Sequence, residues 1–219
     1  MTPRAIVKKA IEHGIDIIAI TDHNSMRNIP AALVCAAGSS LTVLTGMEIT
    51  TSEEIHVLAL FDSNNFNIEF NEIIYSNLPD IKNDVEHFGY QLIVNSIDEV
   101  LEFEQRLLIS STMLDLDSVL DLIHKYKGIA IPAHIDKEQF SIISQLGFIP
   151  EGLKVDALEV TRNIGIKETE TLAQRYVMPV VSFSDAHFLT DFGNKSTELY
   201  MEEVTFEEIR RVLSQVVLI

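Results

Sequence analysis

Apolar residues along this chain follow two alternating spacings. Behind Thr2-Pro3, an N-cap followed by proline at the first helical position, Ile6, Val7, Ala10 and Ile11 recur at helical intervals, and Gly14 fits the C′ position. The run IDIIAI is apolar almost throughout and predicts a strand buried on both faces. A second helix is expected over residues 28–37, then two strands in LTVLTGMEIT and EEIHVLALF. Residues 62–127 are less regular, with a helix near 67–76, a short strand in YQLIVNS and a helix in LDSVLDLIHKY. GIAIPAH reads as a buried strand, KEQFSIISQL as a helix, ALEV as a short strand, IKETETLAQRY as a helix and PVVSFSDAH as a strand. STELYMEE suggests a last strand, and the capping box from Thr205 to Glu208 opens a final helix to about residue 217. This alternation predicts an α/β fold with a mostly parallel sheet. With no repeat and no Gly- or Pro-rich linker, residues 1–219 are expected to form one domain, with 62–127 its substrate side.

The polar residues interrupt this pattern where apolar strands should end. His23 follows IDIIAI, Glu48 sits late in LTGMEIT, His134 ends GIAIPAH, and Asp185 and His187 end VVSFSDAH. In parallel α/β folds the strand C-termini share one face, where active sites form. His56 lies early in its strand and reaches that face only if the strand runs antiparallel after the turn at Thr51 and Ser52. Any one of these residues has an ordinary explanation as a helix cap or surface imidazole. Together they place four of seven histidines and two carboxylates on one predicted face, a donor set without thiolates that suits zinc, manganese or iron.

Composition narrows the class. Of 219 residues, 47% are hydrophobic and 22% charged, as in an ordinary globular protein. No apolar run is long enough to cross a bilayer, and MTPRAIVKK lacks the apolar stretch of a signal peptide. The single cysteine, Cys35, excludes an internal disulfide framework. These features lead to the expectation of a cytoplasmic protein. The formal net charge of −17 argues against a broad phosphate-backbone footprint, so long nucleic acid is not expected as a partner and a small phosphorylated metabolite or nucleotide is. Any phosphate chemistry must then draw its positive charge from a local source such as bound metal.

ITDH, GMEI, HVLALF, IPAH and SFSDAH, in this order, resemble the PHP family, named for polymerase and histidinol phosphatase domains. The resemblance implies a distorted (β/α)7 barrel with up to three metal ions at the strand C-termini, and phosphoester hydrolysis. By position, Glu48 resembles a carboxylate bridging two metals, His56 and His134 resemble further ligands of one, Asp185 resembles a ligand of the other, and His23 and His187 resemble ligands of a third. Asp22, Asp185 and His187 are the candidates for moving protons. The family pattern opens on a strand ending in His-x-His, which this sequence lacks. The expectation is that the motif and first barrel strand lie upstream of Met1, and that this form holds fewer metals.

The reaction expected is hydrolysis of a small phosphomonoester by metal-activated water. Arg162, Arg106 and Lys137 are candidate phosphate clamps, and Glu159 is a strand-end acid that could simply pair with Arg162. The alternative is a catalytically weakened PHP module that binds a ligand or partner.

Overall fold

The computed structural model describes residues 1–64, 67–193 and 195–215. Helix α1 (Pro3–Glu12) opens as its sequence dictates, with the Thr2 hydroxyl accepting from Ala5 N at 3.3 Å. It leads through Gly14, at φ +65°, into β1 (Ile17–Ile20). Helix α2 (Ile29–Ala36) follows, then β2 (Thr42–Thr50) and β3 (His56–Phe61). The middle segment holds α3 (Ile68–Ser76), the short α4 (Val85–Phe88), and β4 (Gln91–Val94) paired with β5 (Val100–Glu104). Next come α5 (Leu116–Lys125), β6 (Ile129–Pro132), α6 (Ile142–Leu146) and β7 (Leu158–Val160). The chain continues through α7 (Ile166–Tyr176), β8 (Val180–Ser182) and α8 (Phe206–Gln215).

The main sheet has the order β1-β2-β3-β6, with β1 parallel to β2 and β3 antiparallel to both its neighbours. This antiparallel β3 is the placement that His56 required. Strands β7 and β8 form a separate parallel pair, and no closed barrel ring is formed among the described strands. Period-2 alternation sorts β3 between two cores. Val57, Ala59 and Phe61 pack with helix-side residues such as Val7 and Phe70. Leu58 and Leu60 point the other way, toward Ile131, Val181 and the Phe206, Ile209 and Leu213 stripe of α8.

Three expectations are corrected. Residues 196–203 form no strand; STELYMEE is irregular and bends at Glu202 and Glu203. The helix expected over KEQFSIISQL shrinks to Ile142–Leu146, because Ser141 caps it with a reciprocal Ser141–Ser144 box. Strand β5 was not anticipated, since Val100, Leu101 and Phe103 are exposed and leave no clean apolar-in alternation. The final helix begins as expected, with Glu208 N donating to the Thr205 hydroxyl at 3.2 Å; its expected end near residue 217 lies outside the described residues.

Gly46 is fixed by close approach. A Cβ there would meet Thr21 Cγ2 at 2.8 Å and the Ile20 carbonyl at 3.1 Å, where β1 ends beside β2. Gly46→Ala is therefore expected to destabilise the fold by about 1–3 kcal/mol through overpacking and to displace the Thr21–His23 segment. Denaturant unfolding beside a metal-binding isotherm will check both effects. An unchanged unfolding midpoint would mean that the approach relaxes freely.

Candidate metal centre

The ends of β1 and β6 and the start of β3 converge on Glu48, near the end of β2. An isolated parallel bridge joins His23 to Glu48, with Glu48 N donating to the Asp22 carbonyl at 3.2 Å and Asn24 N to the Glu48 carbonyl at 2.9 Å. On the other side, Thr50 pairs with His56 in the β2–β3 ladder, which puts His56 beside Glu48. His134 follows β6, and Ala133 N donates to the His56 carbonyl at 2.9 Å. His134 adopts φ +33°, in the left-handed region that a β-carbon disfavours.

The side chains meet closely. His56 Nδ1 donates to Glu48 Oε1 at 2.8 Å, His134 Nε2 lies 3.5 Å from the same oxygen, and His23 Nδ1 lies 3.8 Å from Oε2. His56 Nδ1 and His134 Nε2 are only 3.3 Å apart. Glu48, His56 and His134 are buried at 8%, 7% and 5% exposure, and burial on that scale demands compensation for each polar group. Yet His23 Nδ1, His56 Nε2 and His134 Nδ1 are buried with no hydrogen-bond partner. One donor atom each from His23, Glu48 and His56 falls within 4.8 Å of the others, and His134 joins from the His56 side. Imidazoles converging on one carboxylate, each with a buried ring nitrogen left unsatisfied, fit a divalent cation. The ring of Phe140 stacks on His56 at 4.8 Å and 14° and covers it from solvent.

Electrostatics follow the burial. Desolvation pushes the Glu48 carboxyl up, but the His134 and His56 imidazoles outweigh it and hold the group well below the usual carboxylate range. Desolvation lowers the His23 imidazole, and Glu48 only partly offsets it, so His23 favours the neutral form that ligates metal.

Glu159, expected as a strand-end acid pairing with Arg162, belongs beside this cluster instead. It is 4% exposed and accepts from His134 N at 3.1 Å. Arg162, the partner considered for it, instead lies 3.6 Å from Asp191. Burial pushes the Glu159 carboxyl up to about 8; the His134 amide opposes this, and the charges of Glu48 and Asp185 add to it. A carboxyl raised from 4.5 to about 8 is protonated in the fold while ionised in the unfolded chain. Glu159 should therefore contribute a loss of stability as pH rises between those values in the metal-free protein, at up to roughly 1.4 kcal/mol per unit. Glu159→Gln should abolish that slope, and the difference between the two thermal midpoints should widen from pH 5 to pH 8. Parallel curves would show that Glu159 is ionised in the fold.

The other expected site residues lie further out. Asp185 (φ +44°) and His187 stand at the cleft wall, and His187 Nδ1 donates to the Asp185 carbonyl at 3.0 Å. Lys137 Nζ donates to Asp185 Oδ2 at 2.7 Å, so the ammonium compensates this carboxylate. Arg106 is turned to structural use: Nη1 donates to the Tyr75 carbonyl at 2.8 Å and the guanidinium lies 4.5 Å over the Tyr75 ring. Asp22 opens into the cleft and accepts from Asn28 Nδ2 at 3.0 Å. A cleft of about 1220 Å³ runs past His23, Glu48, His134 and Glu159 to Asp185 and His187. Asn24 was overlooked although it adjoins His23. Fully buried, it donates to the carbonyls of Leu108 and Ser110 at 2.7 and 3.0 Å and accepts from Thr50 N, tying the middle segment to the site.

A cleft at strand ends with a buried carboxylate ringed by imidazoles is the kind of site in which metal-dependent hydrolases work. Residues 1–149 match the PHP domain, and the chain belongs to that family, whose members are metal-dependent phosphoesterases. Over 65 residues it is 37% identical to the 5'-3' exoribonuclease Rnm of Salmonella typhimurium, a match covering 27% of this chain and 22% of that protein. Among solved structures, endonuclease Q from Pyrococcus furiosus superposes with a TM-score of 0.73 at 17% identity, over 99% of this chain and 52% of its own. A candidate metal-dependent phosphoesterase from Bifidobacterium adolescentis gives a TM-score of 0.59 at 21% identity, over 98% of this chain and 91% of its own. The PHP fold is thus established, with its barrel open among the described strands.

These relatives overturn the expectation that nucleic acid is an improbable partner. One is an exoribonuclease, and endonuclease Q has been solved on a 27-mer duplex with an abasic lesion at its active site. Net charge is a poor guide because it sums the whole surface, whereas a cation held in a cleft can reverse the field locally. No helix among the described residues is long and apolar enough to cross a membrane.

Proposed function

We propose that this chain is a metal-dependent hydrolase of phosphodiester bonds in nucleic acid. The observation that carries the reading is the buried Glu48 carboxylate faced by His23, His56 and His134, with imidazole nitrogens left unsatisfied. The family's phosphoester chemistry and its nucleases supply the substrate class.

In this reading Glu48, His23, His56 and His134 hold the metal. When bound, it lowers the pKa of water toward neutrality and offsets the charge of the phosphoryl oxygens. Glu48 supplies the anionic charge and stays ionised because its imidazole neighbours favour that form. Phe140 keeps bulk water from His56. Asp22, aimed by Asn28 at the cleft, is assigned to take the proton released from the attacking water. Asp185 and His187 line the far wall as further metal or proton-transfer groups, and Lys137, beside Asp185, is assigned to a phosphoryl oxygen. The middle segment, tied in by Asn24, is assigned to substrate selection.

The test compares bis-p-nitrophenyl phosphate, p-nitrophenyl phosphate and an end-labelled single-stranded oligonucleotide, each with manganese, zinc or iron and with chelator. Diester and oligonucleotide cleavage that chelator abolishes is expected. Turnover of the monoester alone would assign a phosphatase instead. Metal binding without turnover of any substrate would favour a ligand-binding module.

A further inference from the structure

We propose that the outer face of the β4–β5 hairpin, built on Tyr90, Leu92 and Phe103, is a stacking platform for bases of single-stranded nucleic acid entering the metal cleft. This inference rests on the nucleic-acid reading above.

Strand alternation divides the hairpin into two unlike faces. Leu92 pairs with Phe103, and Tyr90 meets Phe103 edge to face at 5.5 Å and 71°. These three residues are 67% (Tyr90), 37% (Leu92) and 50% (Phe103) exposed, so an aromatic surface is held open to solvent rather than packed. The opposite face is polar and pinned. Arg27 donates to Glu102 at 2.9 Å and to Glu104 at 3.3 Å, and Glu104 also accepts from the Tyr75 hydroxyl at 3.0 Å and Arg106 N at 2.8 Å. That clamp fixes which side faces outward.

The platform adjoins the metal cleft through Leu92, which lines it, with Tyr90 and Phe103 just outside that lining. Asn28 Nδ2 lies 3.0 Å from both Asp22 Oδ2 and the Leu92 carbonyl, while Val94 N donates to Asn28 Oδ1 at 3.1 Å. One side chain thus joins the β1 end that carries His23 to the hairpin. Leu92 and the exposed Phe88 line the same cleft as His23 and Glu48. A polynucleotide whose phosphate reaches the metals would pass its neighbouring bases along this surface.

Charge favours stacking as the mode of contact. The cations beside the hairpin are already engaged, Arg27 with Glu102 and Glu104 and Arg106 with the Tyr75 carbonyl, whereas every base presents a π-face to an aromatic ring. Affinity carried by stacking changes little with salt, because few counterions are released.

The experiment uses the full metal-loaded chain and a fluorescent phosphorothioate oligonucleotide, with binding read by anisotropy and bis-p-nitrophenyl phosphate turnover measured alongside. Tyr90→Ala and Phe103→Ala should each weaken binding on the order of tenfold with diester turnover unchanged, while Tyr90→Phe keeps wild-type affinity. An abasic oligonucleotide should lose affinity for the wild type and show no further loss with the alanine variants. Wild-type affinity in both alanine variants, with oligonucleotides still bound and cut, would overturn the platform and leave the nucleic-acid reading intact. Diester turnover without oligonucleotide binding by the wild type would overturn both. Unchanged affinity with an altered oligomeric state would assign the face to a second copy of the chain and overturn the platform.

Discussion

Glu48→Gln will yield a folded protein that retains little metal and hydrolyses phosphodiesters at least roughly a thousandfold more slowly, the equivalent of about 4 kcal/mol of transition-state stabilisation. Three imidazoles face this one carboxylate, from 2.8 to 3.8 Å, and it supplies the negative charge at their centre. Glutamine has nearly the same shape, and its amide oxygen can still accept from His56. The β2–β3 ladder that aligns the site uses backbone groups alone. The loss should therefore fall on metal binding rather than on folding. Circular dichroism, elemental analysis after gel filtration and diester turnover separate the two. A Glu48→Gln protein that keeps its metal and its rate would remove Glu48 from the centre.

The second large effect is on stability. Manganese or zinc at about one hundred times its Kd should stabilise the native chain by about 2.7 kcal/mol, or roughly 5–10 °C in Tm for a domain of this size. The increment should shrink below about pH 6, because the imidazoles must shed protons to ligate. In the metal-free protein His23 opposes the Glu159 slope over the lower part of that range. His23 is held neutral by burial, so below its ordinary value of 6.5 the unfolded chain binds a proton that the fold refuses. Glu48 adds to this, since its depressed pKa contributes stability above 4.5 that is lost as pH falls further. Differential scanning calorimetry with and without metal from pH 5 to pH 8 reads both effects. A metal increment that Glu48→Gln leaves intact would place the ion elsewhere.

Two aromatic surfaces near the metal centre differ in exposure. Phe140 lies flat on His56 and shields a ligand from water. Tyr90 and Phe103 are 67% and 50% exposed, and among the described residues their ring contact is with each other. An aromatic pair held open by a clamp of four charged residues and a tyrosine hydroxyl is costly to leave wet unless something covers it during function.

The sequence by itself determined the α/β alternation, the helix starts at Thr2 and Thr205, and the placement of His23, Glu48 and His134 at strand ends. All of these depend on near neighbours, through the spacing of apolar side chains, a capping hydroxyl or the residue at which an apolar run stops. It also required β3 to run antiparallel, because His56 could reach the others in no other way. Only the tertiary structure decided that Glu159 sits buried against His134, that Asn24 ties strand β2 to residues 108 and 110, and that Lys137, Arg106 and Arg162 are each engaged with a partner from another segment. Hydrogen bonds and desolvation between residues 25 to 86 positions apart leave no periodic trace in the chain, so no local pattern could announce them. The same reason applies to the hairpin: whether Tyr90 and Phe103 face the core or the solvent is set by what packs beneath β4 and β5, and the alternation of letters is the same in either case.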